Sequence, residues 1–373
     1  MMNKRFLLKY NKCYLRLHSS CEIVKGVSRS VICDLSRHTY EFIPNDLYDF
    51  IQRGYSSSLY EVIKLYGNTN LKILREYIDF LIEKEYCFLC NENEVDYFPR
   101  YSMSFETPFT INNCIVDVNN KSKHDWKLIS LQLDEMLCQD LQIRFYSIVR
   151  VTELYGIISF FEETTIKNIE LIVPYIEKGF TETHLQKLCE KFNRVNQIIV
   201  HSSPRLKKIS SNNLCSIYFI TQVINSDTHC GNIYPEFFSV NRQTYYESIY
   251  YNTCLYKKIS ISCDGEIKNC PSMTKSYGNI SNINLVDIVC RSDFKEFWKL
   301  NKDQISVCNT CEFRMFCTDC RAFLEDPSDY KSKPLKCGYN PKTMKWENWS
   351  TIEEKQKIFE KYKLIENAKV SFF

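Results

Sequence analysis

Ten of the nineteen cysteines in this chain of 373 residues fall between Cys230 and Cys337, and that crowding constrains the fold more than any other feature. From about residue 228 onward apolar periodicity fades into loops, short strands and cysteines, with one amphipathic helix expected near Leu285 to Leu300. A segment with so little patterned apolar content does not fold by burial alone, so bound metal is expected to supply much of its stability. No apolar stretch follows the basic start Met1 to Lys12, and no run of about 18 apolar residues occurs, so the chain reads as cytoplasmic, neither secreted nor spanning a membrane. Thiols there stay reduced, and metal binding outranks disulfides.

The densest signal is Cys308-x2-Cys311-x5-Cys317-x2-Cys320, followed by Cys337 after sixteen intervening residues. A C-x2-C turn brings two sulfurs to one side, where both reach one metal. Two such pairs plus a fifth cysteine exceed one tetrahedral site. Upstream, Asp264-Gly265 is a hairpin signal, and two strands joined there would bring Cys254 and Cys270 together. The result is seven thiolates in two groups, one short of the eight that two four-cysteine clusters need. Structural zinc on paired knuckles is the alternative, but the x5 spacing and the distant fifth cysteine suit interleaved clusters better.

The rest of the chain is conventionally patterned. Residues 1 to about 100 read as a small α+β module, with short strands at Phe6 to Leu8, Cys21 to Val24, Ser30 to Leu35 and Thr39 to Ile43. Helices follow from Pro44-Asn45-Asp46, from near Ser58, and from Leu71 to about Lys84 with Asn70 as cap; residues 86 to 98 would return as a hairpin or wing. Between about 105 and 225 strands alternate with helices: Ile111 to Val118, Leu141 to Val149, Asn168 to Val173, Gln197 to His201 and Ser216 to Val223. Several are near-continuous apolar runs, as in parallel strands buried on both faces, and the alternation implies an α/β sheet or partial barrel. Trp126, Ile129, Leu133, Met136 and Leu137 line one side of the first helix, and Thr351 to Lys363 reads as a charged, solvated helix.

Charge and the remaining cysteines are plainer. Lys plus Arg is 48 against 45 acidic residues, net +3 without a basic cluster, which argues against a nucleic-acid face. Cys87 and Cys90 read as two buried thiols, Cys13, Cys21, Cys33, Cys114, Cys138, Cys189, Cys215 and Cys290 as core, and His229 as a surface loop histidine.

Cys254-x10-Gly265-x4-Cys270 with Cys308-x2-Cys311-x5-Cys317-x2-Cys320 and Cys337 resembles the SPASM domain, the auxiliary iron-sulfur module of radical SAM peptide-modifying enzymes. The match covers residues 254 to 337 and departs once, with two residues rather than three between Cys317 and Cys320. The resemblance implies that Cys308, Cys311, Cys317 and Cys337 hold one 4Fe-4S cluster and Cys254, Cys270 and Cys320 a second. The fourth ligand of the second is left open between Cys230, Cys263 and an unligated iron. Asn269-Cys270-Pro271-Ser272-Met273, Gly278-Asn279-Ile280, Cys320-Arg321-Ala322-Phe323 and Cys337-Gly338-Tyr339-Asn340-Pro341 look like the SPASM-domain peptide maturases of grasp-with-spasm systems. That likeness implies a ribosomally made precursor peptide and an ATP-grasp ligase as partners.

A radical SAM enzyme also needs C-x3-C-x2-C after the first barrel strand. Here the corresponding stretch reads Asn119-Asn120-Lys121-Ser122-Lys123-His124, and no two cysteines in the chain are four apart. S-adenosylmethionine cleavage is therefore not expected. The α/β fold expected is a winged-helix-like leader-recognition module at 1–100, a degenerate radical SAM-like partial TIM-type (β/α) barrel at 105–227, a SPASM iron-sulfur domain at 228–345 and a helical tail at 346–373. The expected function is precursor binding and maturation with auxiliary clusters; the alternative is a zinc-stapled, non-catalytic peptide-binding scaffold.

Overall fold

The computed structural model describes residues 10–99, 106–177, 181–210 and 215–364. The strand expected over Phe6 to Leu8 lies outside them. In the N-terminal module β2 (Cys21–Lys25), β3 (Ser30–Asp34) and β4 (Thr39–Ile43) form an antiparallel sheet, while β1 (Cys13–Leu17) waits for a partner from beyond the helices. The sequence pattern hides β1 because Arg16 interrupts its apolar alternation. That side chain is nonetheless buried, its Nη1 donating to the Leu15 carbonyl at 2.8 Å.

Three helices follow: α1 (Asn45–Ser56), α2 (Leu59–Tyr66) and α3 (Leu71–Glu83). Leu47, Phe50 and Ile51 of the first share one core with Leu74, Ile78 and Leu81 of the third. Ser58 caps α2 reciprocally: its Oγ accepts from the Glu61 amide at 3.3 Å, and its own amide donates to Glu61 Oε2 at 3.0 Å. Asn70 does not cap α3; its Nδ2 donates instead to the Tyr66 carbonyl at 2.8 Å. Nor do residues 86 to 98 fold on themselves as a hairpin. β5 (Cys87–Asn91) pairs antiparallel with β1, and a 3-10 turn over Glu92–Tyr97 follows.

The middle of the chain runs β6 (Asn113–Val118), α4 (Trp126–Glu135), β7 (Asp140–Phe145), α5 (Val151–Ser159), β8 (Asn168–Pro174), α6 (Glu182–Lys191), β9 (Val195–His201), β10 (Lys207–Ser210) and β11 (Ser216–Phe219). After α7 (Arg242–Tyr250) the chain returns as β12 (Lys258–Ile261) and β13 (Ile267–Lys268). All these strands join one sheet in the order β10-β11-β9-β8-β7-β6-β12-β13, parallel from β11 to β12. The crossovers advance in one direction, so right-handed connections put their helices on one face. The cysteine-rich stretch thus supplies the strand beside β6, and one apolar core runs from Ile111 to Trp298.

The strands are buried on both faces, but the two faces differ, and the one bearing Ile115 and Ile172 also carries polar side chains. Val116, Leu141, Ile143, Leu171 and Ile198 point to the helices and pack with Leu133, Leu154 and Leu188. On the opposite face Gln142, Glu170 and Gln197 lie side by side in register, with Gln142 Nε2 donating to Glu170 Oε2 at 3.0 Å and Gln197 Nε2 to Oε1 at 3.2 Å. Arg144 there grips Asp117 with both nitrogens, at 2.6 and 2.8 Å.

Other local readings are corrected. Leu137 leaves the α4 stripe, with φ 58° and 39% exposure. The helix near Leu285 to Leu300 is broken into α8 (Leu285–Cys290) and a 3-10 turn over Glu296–Lys299, and Cys290 is exposed rather than core. Cys13 is only half-buried. Cys189 and Cys215 are buried as expected, with their sulfurs in contact where the end of α6 meets the start of β11. The C-terminal helix is shorter than expected and solvated at most of its charged positions, though not at all of them. After β14 (Tyr339–Asn340) and β15 (Lys345–Trp346), α9 spans only Glu353–Gln356; Lys355, Phe359 and Leu364 are buried. Among the described residues no helix is long and apolar enough to cross a membrane.

His201, at the end of β9, is buried and neutral in design: Nδ1 accepts from the Ile224 amide at 3.3 Å, so Nε2 donates to the Phe145 carbonyl at 3.2 Å. Burial holds its pKa below the ordinary 6.5. A depressed folded value means its stabilisation is present above pH about 6.5 and is lost on acidification through the folded pKa. We expect urea midpoints to fall between pH 7.5 and 5.5, and His201→Gln to flatten that fall; an unaltered pH slope in the variant would refute it.

Candidate metal centre

Hairpin geometry brings the first sulfurs together. Gly265 takes φ 81°, a conformation open to glycine, and closes β12 on β13 with Ser260 opposite Lys268. Cys254 and Cys270 then stand near the open end of that hairpin, and Lys258 Nζ reaches 3.7 Å from Cys254 Sγ. Cys230 enters beside them because Ile233 pairs with Cys337 and the Gly231 backbone crosses the Cys320 sulfur. A Cβ at Gly231, where φ is 84°, would stand 2.8 Å from that sulfur.

The thiols fall into two quartets. Cys270 faces Cys230, Cys254 and Cys320, and Cys320 faces Cys254 and Cys230. Separately, Cys308 faces Cys337 and Cys317, Cys311 faces Cys317 and Cys308, and Cys317 faces Cys337. The pair Cys317-x2-Cys320 is divided between two packing clusters, Cys317 with Cys337 and Cys320 with Phe323 against Gly231. The second quartet surrounds a small cavity walled by Ile233, Phe238, Phe313, Tyr339 and Trp346.

Burial dominates the acid–base behaviour of both. It pushes the Cys317 thiol up to about 11 and the Cys320 thiol up to about 12, and the neighbouring cysteines add to it. Cys254, Cys270, Cys308 and Cys311 are raised by the same cause. Buried thiols raised in this way become thiolates together when a cationic core enters, releasing their protons. The donor set suits such a core: the backbone amides of Phe323 and Ala322 point at the Cys320 sulfur, and that of Phe313 at Cys311. Among the described residues no three His, Cys, Asp or Glu side chains converge tightly enough for a single ion.

Cys263 is placed elsewhere. It sits at the β12–β13 turn beside Asp117, Asp264 and Arg144, and burial pushes its thiol up to about 11. Ser122 Oγ donates to its carbonyl at 2.8 Å, tying down the loop that follows β6, and His124 contacts the Asp117 carbonyl at 2.9 Å. His229 is half-buried between Gln222 and Asn225 rather than free on the surface.

The N-terminal sheet covers the second quartet. Val24, Val31, Cys33 and Leu35 share a core with Phe313, Phe316, Cys317 and Cys337. Fully buried Glu312, next to Cys311, accepts from Arg29 Nε at 2.8 Å and from the Tyr339 hydroxyl at 2.5 Å. Sequence reasoning missed Lys258, Lys302, Lys336 and Asp319 around the sulfurs, since a lysine near a cysteine carries no distinctive spacing.

No protein-family model matches the chain, and no curated protein matches it significantly. Among solved structures, Streptococcus suis SuiB aligns over 84% of this chain and 95% of that chain, at 11% identity and a TM-score of 0.31. SuiB bound to S-adenosylmethionine aligns over 83% and 96%, at 12% identity and 0.28. SuiB bound to its precursor peptide SuiA aligns over the same shares, at 10% and 0.26. Scores this low describe a resemblance without establishing a shared fold.

Proposed function

We propose that this chain is a SPASM-type peptide maturase that binds a ribosomally made precursor peptide and works with an ATP-grasp ligase in the cytoplasm. The observation that carries the reading is the division of eight cysteines into two quartets, with Cys308, Cys311, Cys317 and Cys337 in one and Cys230, Cys254, Cys270 and Cys320 in the other. Each quartet would hold one 4Fe-4S cluster, with Cys230 as the ligand the motif left open. When bound, such clusters supply one-electron storage sites whose potentials depend on charge, hydrogen bonds and exposure. A zinc-stapled scaffold fits less well, because a zinc knuckle needs both thiols of Cys317-x2-Cys320 on one ion.

In this reading residues 1–100 recognise the leader, 105–227 form a degenerate partial barrel, 228–345 are the SPASM domain and 346–373 the tail. The winged-helix-like module has an open groove suited to an extended peptide, of about 730 Å³, lined by Leu17, Cys21, Tyr55, Phe88, Tyr97 and Phe98. The loop after β6 offers Asn119, Ser122 and His124 and no thiol, so the proposed role does not include S-adenosylmethionine cleavage.

The test pairs metal analysis with product mass. Anaerobically isolated protein should be brown with about eight irons per chain. Precursor and ligase incubated with the protein should give a product mass, or a ligation rate, not reached without it. Colourless zinc protein, or product and rate indifferent to its presence, would sink the reading.

A further inference from the structure

Three buried or half-buried ammonium groups reach the two quartets without a carboxylate in ion-pair contact. Lys258 Nζ lies 3.7 Å from Cys254 Sγ and faces Cys270 and Cys230. Lys336 is 2% exposed; its Nζ donates to the Cys230 carbonyl at 2.7 Å and to that of Thr228, and stands 4.1 Å over the Phe323 ring. Lys302 is 4% exposed, donates to the Cys317 carbonyl, and faces Cys317, Asp319 and Cys308. None of the three has an ion-pair partner among the described residues.

Asp227 acts on Lys336 without reaching ion-pair distance, and the other nearby acids are committed elsewhere. Asp319, between the quartets, pairs with Arg321 at 2.7 Å and accepts from Asn252 at 2.7 Å. Lys355 beside Cys337 has Glu325 at 2.8 Å. A desolvated ammonium with no counter-ion is strongly unfavourable, so these three positions make sense only opposite an anionic centre. A 4Fe-4S core on four thiolates is such a centre, and becomes more negative when it takes up an electron.

Resting on the cluster reading above, we propose that Lys258 and Lys336 at the Cys230 quartet, and Lys302 at the Cys308 quartet, are positioning residues that neutralise the bound clusters and raise their reduction potentials. Each sits by one quartet, so each sets one potential. Removing the charge disfavours the reduced cluster more than the oxidised one and lowers that potential.

The experiment is a redox titration of reconstituted full-length protein, followed by visible absorbance and electron paramagnetic resonance, with iron and sulfide quantified throughout. Lys258→Met should keep its iron and lower one of two midpoints by at least about 59 mV, a tenfold shift in a one-electron equilibrium, leaving the other unmoved. Lys302→Met should lower the other midpoint, and Lys258→Arg should stay at wild type. Iron lost from Lys258→Met but kept by Lys258→Arg also supports a charge requirement. Full iron with unmoved midpoints, or equal effects of Met and Arg, overturns the inference and leaves the cluster reading standing. Iron lost from both variants at Lys258 does the same. Wild-type protein holding zinc without iron overturns both.

Discussion

Cys311→Ala should lose about half of the bound iron and lower the melting temperature by roughly 10 °C, which corresponds to more than about 4 kcal/mol, within the range expected for a lost metal site. The reason is architectural. Between residues 292 and 345 the chain makes only 3-10 turns and short bridges, so most of its backbone hydrogen bonds close single turns, and the sulfurs would tie those turns to one another. Damage should spread to the N-terminal sheet, whose Val24, Val31 and Leu35 pack on Phe313 and Phe316 immediately beyond Cys311. Cys290→Ala is the matched control: that thiol is exposed, and its loss should stay within about 0.5 kcal/mol. Equal melting curves and iron contents for the two variants would dispose of the claim.

Asp117→Ala should cost about 3–5 kcal/mol, because it strands a buried guanidinium. Arg144 and Asp117 are 5% and 3% exposed, in register on neighbouring strands, and joined through two nitrogens. The penalty belongs to the uncompensated charge rather than to the pair, so Asp117→Leu combined with Arg144→Met should recover most of it. Urea denaturation of the single and double variants separates these cases; a single variant as stable as wild type would show that water reaches Arg144.

Much of the local structure was legible. Leu47, Phe50 and Ile51 recur at helical spacing, and Ser58 marks the start of α2, because a helix is written in contacts a few residues apart. Asp264-Gly265 announced its hairpin for the same reason. β1 was not legible, since a buried Arg16 breaks its alternation and its partner β5 lies beyond three helices. Cys290 misled because its neighbours Ile288 and Val289 are buried while it turns outward from the same helix. Lys355 misled in the opposite sense, a charge in a polar tail that proves buried against the Leu335 and Cys337 carbonyls.

The sequence by itself determined the supply of sulfur donors, the hairpin between Cys254 and Cys270, and the amphipathic helices, all set by spacings of a few residues. Only the tertiary structure decided that Cys230 lies near Cys254, Cys270 and Cys320 while Cys263 lies by Asp117, that Cys317 and Cys320 pack in different clusters, and that Lys258, Lys302 and Lys336 lie near the sulfurs. Those outcomes depend on where distant segments land once β12 pairs with β6 and Ile233 meets Cys337, and such pairings are chosen by the packing of the whole chain rather than by neighbouring residues.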